Sequence, residues 1–220
     1  MAKVYLSPSS QFDNLYSGVT AVEGDVCNKI AKVAETALKR CGVDVKRGDS
    51  AKTIMEERVA ESNAWGADYH IPIHTNAGGG QGTEVFAYSG FESNKFVKAV
   101  YDAVAKVSPG TDRGIKNGNG LYEVYATTAV CAYVECEFHD TYGNWIYNHV
   151  DELGEAIAKG VCAGLGLNYV PAGTSTQSPS TSETWYRVQV GAFKDKKNAE
   201  NLVASLKALG YDAIIKQHGG

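Results

Sequence analysis

No stretch of this 220-residue chain is apolar over the roughly 18 residues that a membrane span needs, which argues against a membrane partner. The chain has no basic run, and the net charge is -4. Phosphate binding relies on clustered cations, so a nucleic-acid partner is not expected either. The opening, MAKVYLSPSS, lacks the apolar core of a signal peptide. The expectation is synthesis in the cytoplasm without ordinary export. Cysteine pairs at CxxC spacing are also missing. Cys27, Cys41, Cys131, Cys136 and Cys162 are odd in number, scattered and mostly in apolar settings. That pattern predicts buried, reduced thiols and no cysteine-held zinc. The glycines that follow Ala77 precede no Gly-Lys-Ser/Thr, so they are not a phosphate loop.

What is present is ample core material: 44% of residues are hydrophobic and 21% charged. One segment breaks the pattern. Residues 171 to 184, PAGTSTQSPSTSET, carry no large apolar side chain and read as a flexible linker. The linker separates a domain over residues 1 to 170 from a tail over residues 185 to 220.

Before the linker, strand and helix signals alternate. Short apolar strands are expected at Val4 to Leu6, from Val43, at Ala67 to Ile73, at Val85 to Tyr88, near Leu121 to Val124 and at Ala132 to Val134. Val22, Val26, Ile30, Val33, Ala37 and Leu38 recur at helical spacing and stop at Gly42. A second helix, capped by Asp49 or Ser50, passes Met55 and Val59. A third carries Phe96, Val100 and Val104, and a last one runs from Trp145 to about Leu165. Alternation of this kind predicts an α/β domain with a twisted, mostly parallel sheet and helices on both faces. Ligands of such folds sit beyond the carboxyl ends of strands.

His74, in IPIHTNA, ends one of these strands before glycines that permit close backbone approach. In CAYVECEFHD, the residues Glu135, Glu137 and His139 share one parity and would share one face of a strand. Ionisable groups there are costly to bury unless they bind or react. Glu23 and Asp25 open the first helix, where carboxylates also suit the helix dipole. One His, one Glu and a third group around an open position is the arrangement of a catalytic zinc, with a further Glu as general base. The residues alone therefore point to a zinc-dependent amide hydrolase. His70 reads as a buried structural histidine, and His149 and His218 are given no role.

The order of these motifs resembles the zinc-dependent N-acetylmuramoyl-L-alanine amidases of phage lysins and bacterial autolysins. The resemblance rests on Glu23 ahead of Asn28-Lys29-Ile30-Ala31, Arg58 and Asn63, Ala67-Asp68, IPIHTNA around His74, and YVECEF around Glu135 and Phe138. It covers nearly all of residues 1 to 168. It implies that His74 and Glu23 bind Zn²⁺ and that Glu135 is the general base or transition-state stabiliser. The implied substrate is the amide joining N-acetylmuramic acid to L-alanine in peptidoglycan, cut after the enzyme reaches the wall, as in phage lysis. One departure is clear: LSPSSQFDN stands where the family carries its first histidine. Ser10 or Gln11 fills the slot, Gln11 is expected as the third ligand, and His139 is its rival. Asp25 is the fallback for Glu23. Two other readings stay open, a non-catalytic wall-binding protein and a zinc peptidase acting within the stem peptide.

In the tail, Val188 and Val190 alternate, Asn198 to Leu209 is amphipathic, and Ala213 to Ile215 reads as a strand. This small β-α-β unit resembles half of a SPOR-like peptidoglycan-binding repeat. Alone it cannot cover its apolar stripe, so a homodimer through the tail is expected.

Overall fold

In the computed structural model, which describes residues 2–172, 190–211 and 213–215, one mixed sheet organises the amino-terminal unit, Met1–Thr176. Its strands are β1 (Lys3–Pro8), β2 (Asp44–Arg47), β3 (Tyr69–Asn76), β4 (Glu84–Ala87), β5 (Gly114–Asn117), β6 (Val130–Cys131) and β7 (Tyr133–Phe138). They lie in the order β2-β1-β3-β7-β4-β5, with β6 also on β3. Only the β4–β7 pairing is antiparallel. The helices of this unit are α1 (Glu23–Arg40), α2 (Met55–Trp65), α3 (Lys95–Ala105), α4 (Tyr122–Tyr125), α5 (His139–Asn148) and α6 (Val150–Leu165).

Strand alternation gives the sheet two unlike faces. Val4, Leu6, Ile71, Ile73, Val85, Val134 and Cys136 are buried in one apolar core with the inner stripes of α1, α3 and α6. The residues between them, Tyr5 and Ser7, His70 and His74, Tyr133 and Glu135, form the other face. There α2 and α4 supply polar partners: Tyr5 binds Glu61, Ser62 binds His70, and Glu123 binds both Ser7 and His70. The core is apolar on one side of the sheet, and a network of buried polar groups occupies the other.

Several boundaries differ from expectation. Leu121 to Val124 is not a strand. Leu121 N–H donates to Gly118 C=O at 2.8 Å and Tyr125 N–H to Leu121 C=O at 3.1 Å, closing the short helix α4. Leu121 and Val124, three residues apart, then cover one patch with Tyr133 and Phe86, so their spacing is helical. The long last helix is two, interrupted at His149, whose backbone leaves helical geometry. α2 begins after Ile54, with Glu57 accepting from the Ile54 N–H at 3.2 Å; Ser50 instead bonds Asn28. β5 carries no apolar alternation that would have announced it. All five cysteines are free, four of them buried.

The second unit, Gln177–Gly220, contains the expected helix α7 (Lys196–Ala208), with Asp195 capping its amino end. Residues 213–215 are in no strand among the described residues. The expected linker, apart from Pro171 and Ala172, and Val188 and His218 lie outside the described residues.

Candidate active site

β1, β3 and β7 run parallel, so their carboxyl ends meet at one edge of the sheet, and α1 starts there. Glu23, the first residue of α1, is fully buried beneath this edge. Its Oε1 lies 3.0 Å from His74 Nδ1. Asn14 Nδ2 donates to its Oε2 at 2.7 Å, and the Thr75 N–H approaches Oε1 at 3.4 Å. Burial disfavours the charge on Glu23, yet His74 and Asn14 outweigh it and hold the carboxyl below its usual range.

His74 is also nearly buried, its ring stacked on Tyr133 at 4.6 Å. Gln11, exposed on the loop after β1, brings its side-chain amide within 3.4 Å of the same Nδ1. On the far side of the ring, Nε2 faces Glu123 Oε2 at 3.7 Å. Burial pulls the His74 pKa down, but the Glu123, Glu23 and Glu135 carboxylates win and raise it to about 9.

Glu135 is the cross-strand neighbour of His74 on one side and of Glu84 on the other. The two carboxyls differ in surroundings. Glu84 is neutralised by Arg113 at 2.6 Å and by Lys116. Glu135 has no cation of its own, and its Oε2 is shielded from water without a hydrogen-bond partner. Desolvation, against which His74 works and to which Glu23 and Glu84 add, pushes its pKa up to about 8. A carboxyl at that value exchanges protons near neutral pH, as a general acid–base must.

The other expected residues divide. His139, first residue of α5, is buried 3.9 Å from Glu23 Oε2, with its Nδ1 engaged by the Thr75 hydroxyl and carbonyl, both at 3.1 Å. Ser10 turns to Arg58 at 3.5 Å, and Asp25 is exposed on α1. The expected common face of Glu135, Glu137 and His139 does not form. A bulge opposite His74 and Asn76 shifts the register, and the strand ends at Phe138. Glu137 instead clamps loops, accepting from the Gly82 N–H at 2.5 Å and the Gly110 N–H at 3.2 Å. The glycines after His74 are structural as well. Asp140 accepts from Gly78 and Gly79 N–H at 2.7 Å each, and any Cβ on Gly82, whose φ is +98°, would strike the Thr111 carbonyl.

Arg58 and Asn63 act as anchors. Arg58 is fully buried, donating to Ser7 Oγ at 2.9 Å and to the Thr53 carbonyl at 2.6 Å. Asn63 holds the segment after α4 through the Ala126 carbonyl at 3.1 Å and the Thr128 N–H at 2.9 Å. His70 is structural, as expected, between Ser62 at 2.9 Å and Glu123 at 3.2 Å. His149 bonds the Trp145 carbonyl at 2.7 Å, away from this group. Sequence reasoning missed Glu123 entirely. Its one signal was a lone carboxylate among Leu121, Tyr122 and Val124, invisible while that segment read as a strand. Among the described residues, no three His, Cys, Asp or Glu side chains form a ready metal cage.

Residues 14–166 match the N-acetylmuramoyl-L-alanine amidase family (Amidase_3), and residues 157–219 match the SPOR domain. The chain is 31% identical over 164 residues to the N-acetylmuramoyl-L-alanine amidase CwlM of Bacillus licheniformis, covering 73% of this chain and 61% of that protein. A sporulation-specific N-acetylmuramoyl-L-alanine amidase of Bacillus subtilis matches over the same shares. The chain thus spans 61% of the length of these curated relatives. Among solved structures, the amidase AmiC2 of Nostoc punctiforme superposes with a TM-score of 0.68 at 19% identity, over 75% of this chain and 97% of that one. The catalytic domain of CwlV from Bacillus (Paenibacillus) polymyxa gives 0.68 at 20%, over 76% and 100%. These likenesses share the sheet and helix arrangement described above. By the match over its amino-terminal unit, the chain belongs to the N-acetylmuramoyl-L-alanine amidase family.

Proposed function

We propose that this chain hydrolyses the amide between the lactyl group of N-acetylmuramic acid and the first L-alanine of the peptidoglycan stem. The observation that supports this most is the alignment of His74 between Glu23 and Glu135 at the strand ends of an amidase-family domain.

Zinc is part of this proposal. Two ligands on a tetrahedral ion with bonds near 2.0 Å stand about 3.3 Å apart. Glu23 Oε1 lies 3.0 Å from His74 Nδ1, at ligand-shell spacing, and the Gln11 amide nitrogen lies 3.4 Å from the same atom while its oxygen accepts from Asn14 Nδ2 at 2.7 Å. Gln11, with its amide turned to present oxygen, fills the corner where the family has a histidine. His139, through Nε2, is the other candidate. An ion held there by His74, Glu23 and Gln11 would supply Lewis-acid polarisation of the scissile carbonyl and a more acidic water. Glu135 takes the proton of the attacking water at Oε2 and passes it to the L-alanine nitrogen as the C–N bond breaks. A buried carboxyl with a raised pKa is suited to holding that proton between the two steps. Tyr133, stacked on His74, fixes the plane of the imidazole.

The SPOR-matching tail supplies wall affinity in this proposal, and pairing of two tails makes a homodimer. The histidine missing from the end of β1 favours a second reading, a wall-binding protein that does not cut. Mass spectrometry of purified wall after digestion, with metal content of the protein, separates the readings. An amidase frees intact stems from glycan, a stem peptidase leaves fragments, and a binder releases nothing.

A further inference from the structure

A chain of buried polar groups runs beneath the candidate site. Ser62 Oγ lies 2.9 Å from His70 Nδ1, and His70 Nε2 lies 3.2 Å from Glu123 Oε1. Ser7 donates to the same Oε1, and Arg58 Nε donates to Ser7 Oγ at 2.9 Å. Every anchor falls on Oε1. Oε2, aimed at His74, has no hydrogen-bond partner, and neither has His74 Nε2, 3.7 Å away. Both atoms are sealed from water. Two unpartnered polar atoms facing each other in a dry site are a costly arrangement unless they serve each other.

The two nitrogens of His74 differ in access. Nδ1 faces Glu23 and the exposed Gln11, on the side that opens to solvent. Nε2 is sealed from water and faces Glu123. A catalytic ion needs an open position, which only the Nδ1 side offers. A histidine that ligates through one nitrogen commonly donates its other N–H to a carboxylate, which fixes tautomer and ring orientation. We propose that Glu123 is a positioning residue whose Oε2 accepts a hydrogen bond from the Nε2–H of His74 and keeps the Nδ1 lone pair aimed at the corner shared by Glu23 and Gln11. The present separation is about 0.5 Å beyond hydrogen-bond length, a gap that a small ring rotation closes. This inference rests on the zinc reading of His74 above. It adds a residue on α4 that neither composition nor motif spacing singled out.

The test uses the full chain labelled with ¹⁵N-histidine and the variant Glu123→Gln. Glutamine keeps an acceptor for Ser7 and His70 but presents an NH₂ group to His74, which cannot accept its proton. Long-range ¹H–¹⁵N spectra should show a protected proton on His74 Nε2 in the wild type, with and without Zn²⁺, and its loss in the variant. Competition with a chromophoric chelator should show zinc affinity falling about 10- to 100-fold in the variant. Thermal melting of the metal-free forms confirms that both fold. A wild-type Nε2 without a proton, zinc attached to Nε2, or unchanged affinity with the proton retained in the variant would overturn the proposal. If the wild type binds no zinc, the zinc reading fails. The metal-free spectra still decide the role of Glu123: a wild-type proton lost in the variant supports it, and no such proton, or one kept in the variant, overturns it.

Discussion

His74 and Glu135 are direct neighbours in the parallel pairing of β3 with β7, on the polar face of the sheet. One is flanked by two carboxylates; the other is a carboxyl with no lysine or arginine to hold its charge. In the proposed reaction this pairing sets the general base, Glu135, beside the zinc ligand His74. Glu135→Gln removes the proton-accepting charge at nearly constant shape. Release of stem peptides from wall should fall by about 10² to 10⁴-fold. Zinc content should stay near wild type and the variant should remain folded. Undiminished release by this variant would reject Glu135 as the base.

The same carboxyl gives a pH signature in the metal-free protein. Its folded pKa is raised to about 8 from the usual 4.5, so it stays protonated while the unfolded chain ionises. Relative to the unfolded state it favours folding below pH 4.5, and that contribution is lost as pH rises through 8. A tenfold difference in proton affinity between the folded and unfolded chain corresponds to about 1.4 kcal/mol. His74, held up to about 9, loses its contribution over an overlapping window, from 6.5 upward. Denaturant melts of wild type and Glu135→Gln in EDTA should agree near pH 4.5 and diverge towards pH 8, with the variant the more stable. Parallel curves across that range would mean that Glu135 ionises normally.

How much of this was legible in the sequence depends on the residue. The placement of His74 and Glu135 was readable because each follows an apolar run within a strand, where period-two alternation fixes which face a side chain takes. Glu23 was readable because it opens an amphipathic helix. Glu137 and His139 were misplaced because a bulge broke the alternation, and bulges depend on pairing with another strand. Glu123 was hidden because four residues are too few to separate a helical from a strand period. Its neighbours His70 and His74 lie more than forty positions away in the chain.

The ligand set gives a further prediction. His74→Ala should abolish zinc binding, and Glu23→Gln should weaken it strongly. Of the rivals for the third corner, Gln11 has its amide nitrogen 3.4 Å from His74 Nδ1, whereas His139 comes no nearer than 3.9 Å to the Glu23 carboxylate. Gln11→Ala should therefore lower zinc affinity more than His139→Ala. Gln11→His, which offers an imidazole at that corner, should raise affinity by about tenfold, equal to about 1.4 kcal/mol. Metal content after dialysis against a chelator measures every one of these variants. Full zinc retention by both Gln11→Ala and His139→Ala would remove both residues from the ligand shell.

The tail makes the last prediction. On α7, Leu202, Val203 and Leu206 are partly covered, and beyond its end Leu209, Tyr211 and Ile214 are exposed. A single helix with so much apolar surface needs a partner, and a second copy of the same surface is the simplest one. Residues 1–170 hold every proposed catalytic residue, so they should cleave soluble muropeptide at the full-length rate. They should bind intact wall more weakly, because two tethered wall-binding units raise the effective concentration of enzyme at its substrate. Sedimentation should give a dimer for the full chain and a monomer for residues 1–170. A monomeric full chain would remove the dimer, and equal wall binding by the two forms would remove the targeting role while leaving the catalytic proposal untouched.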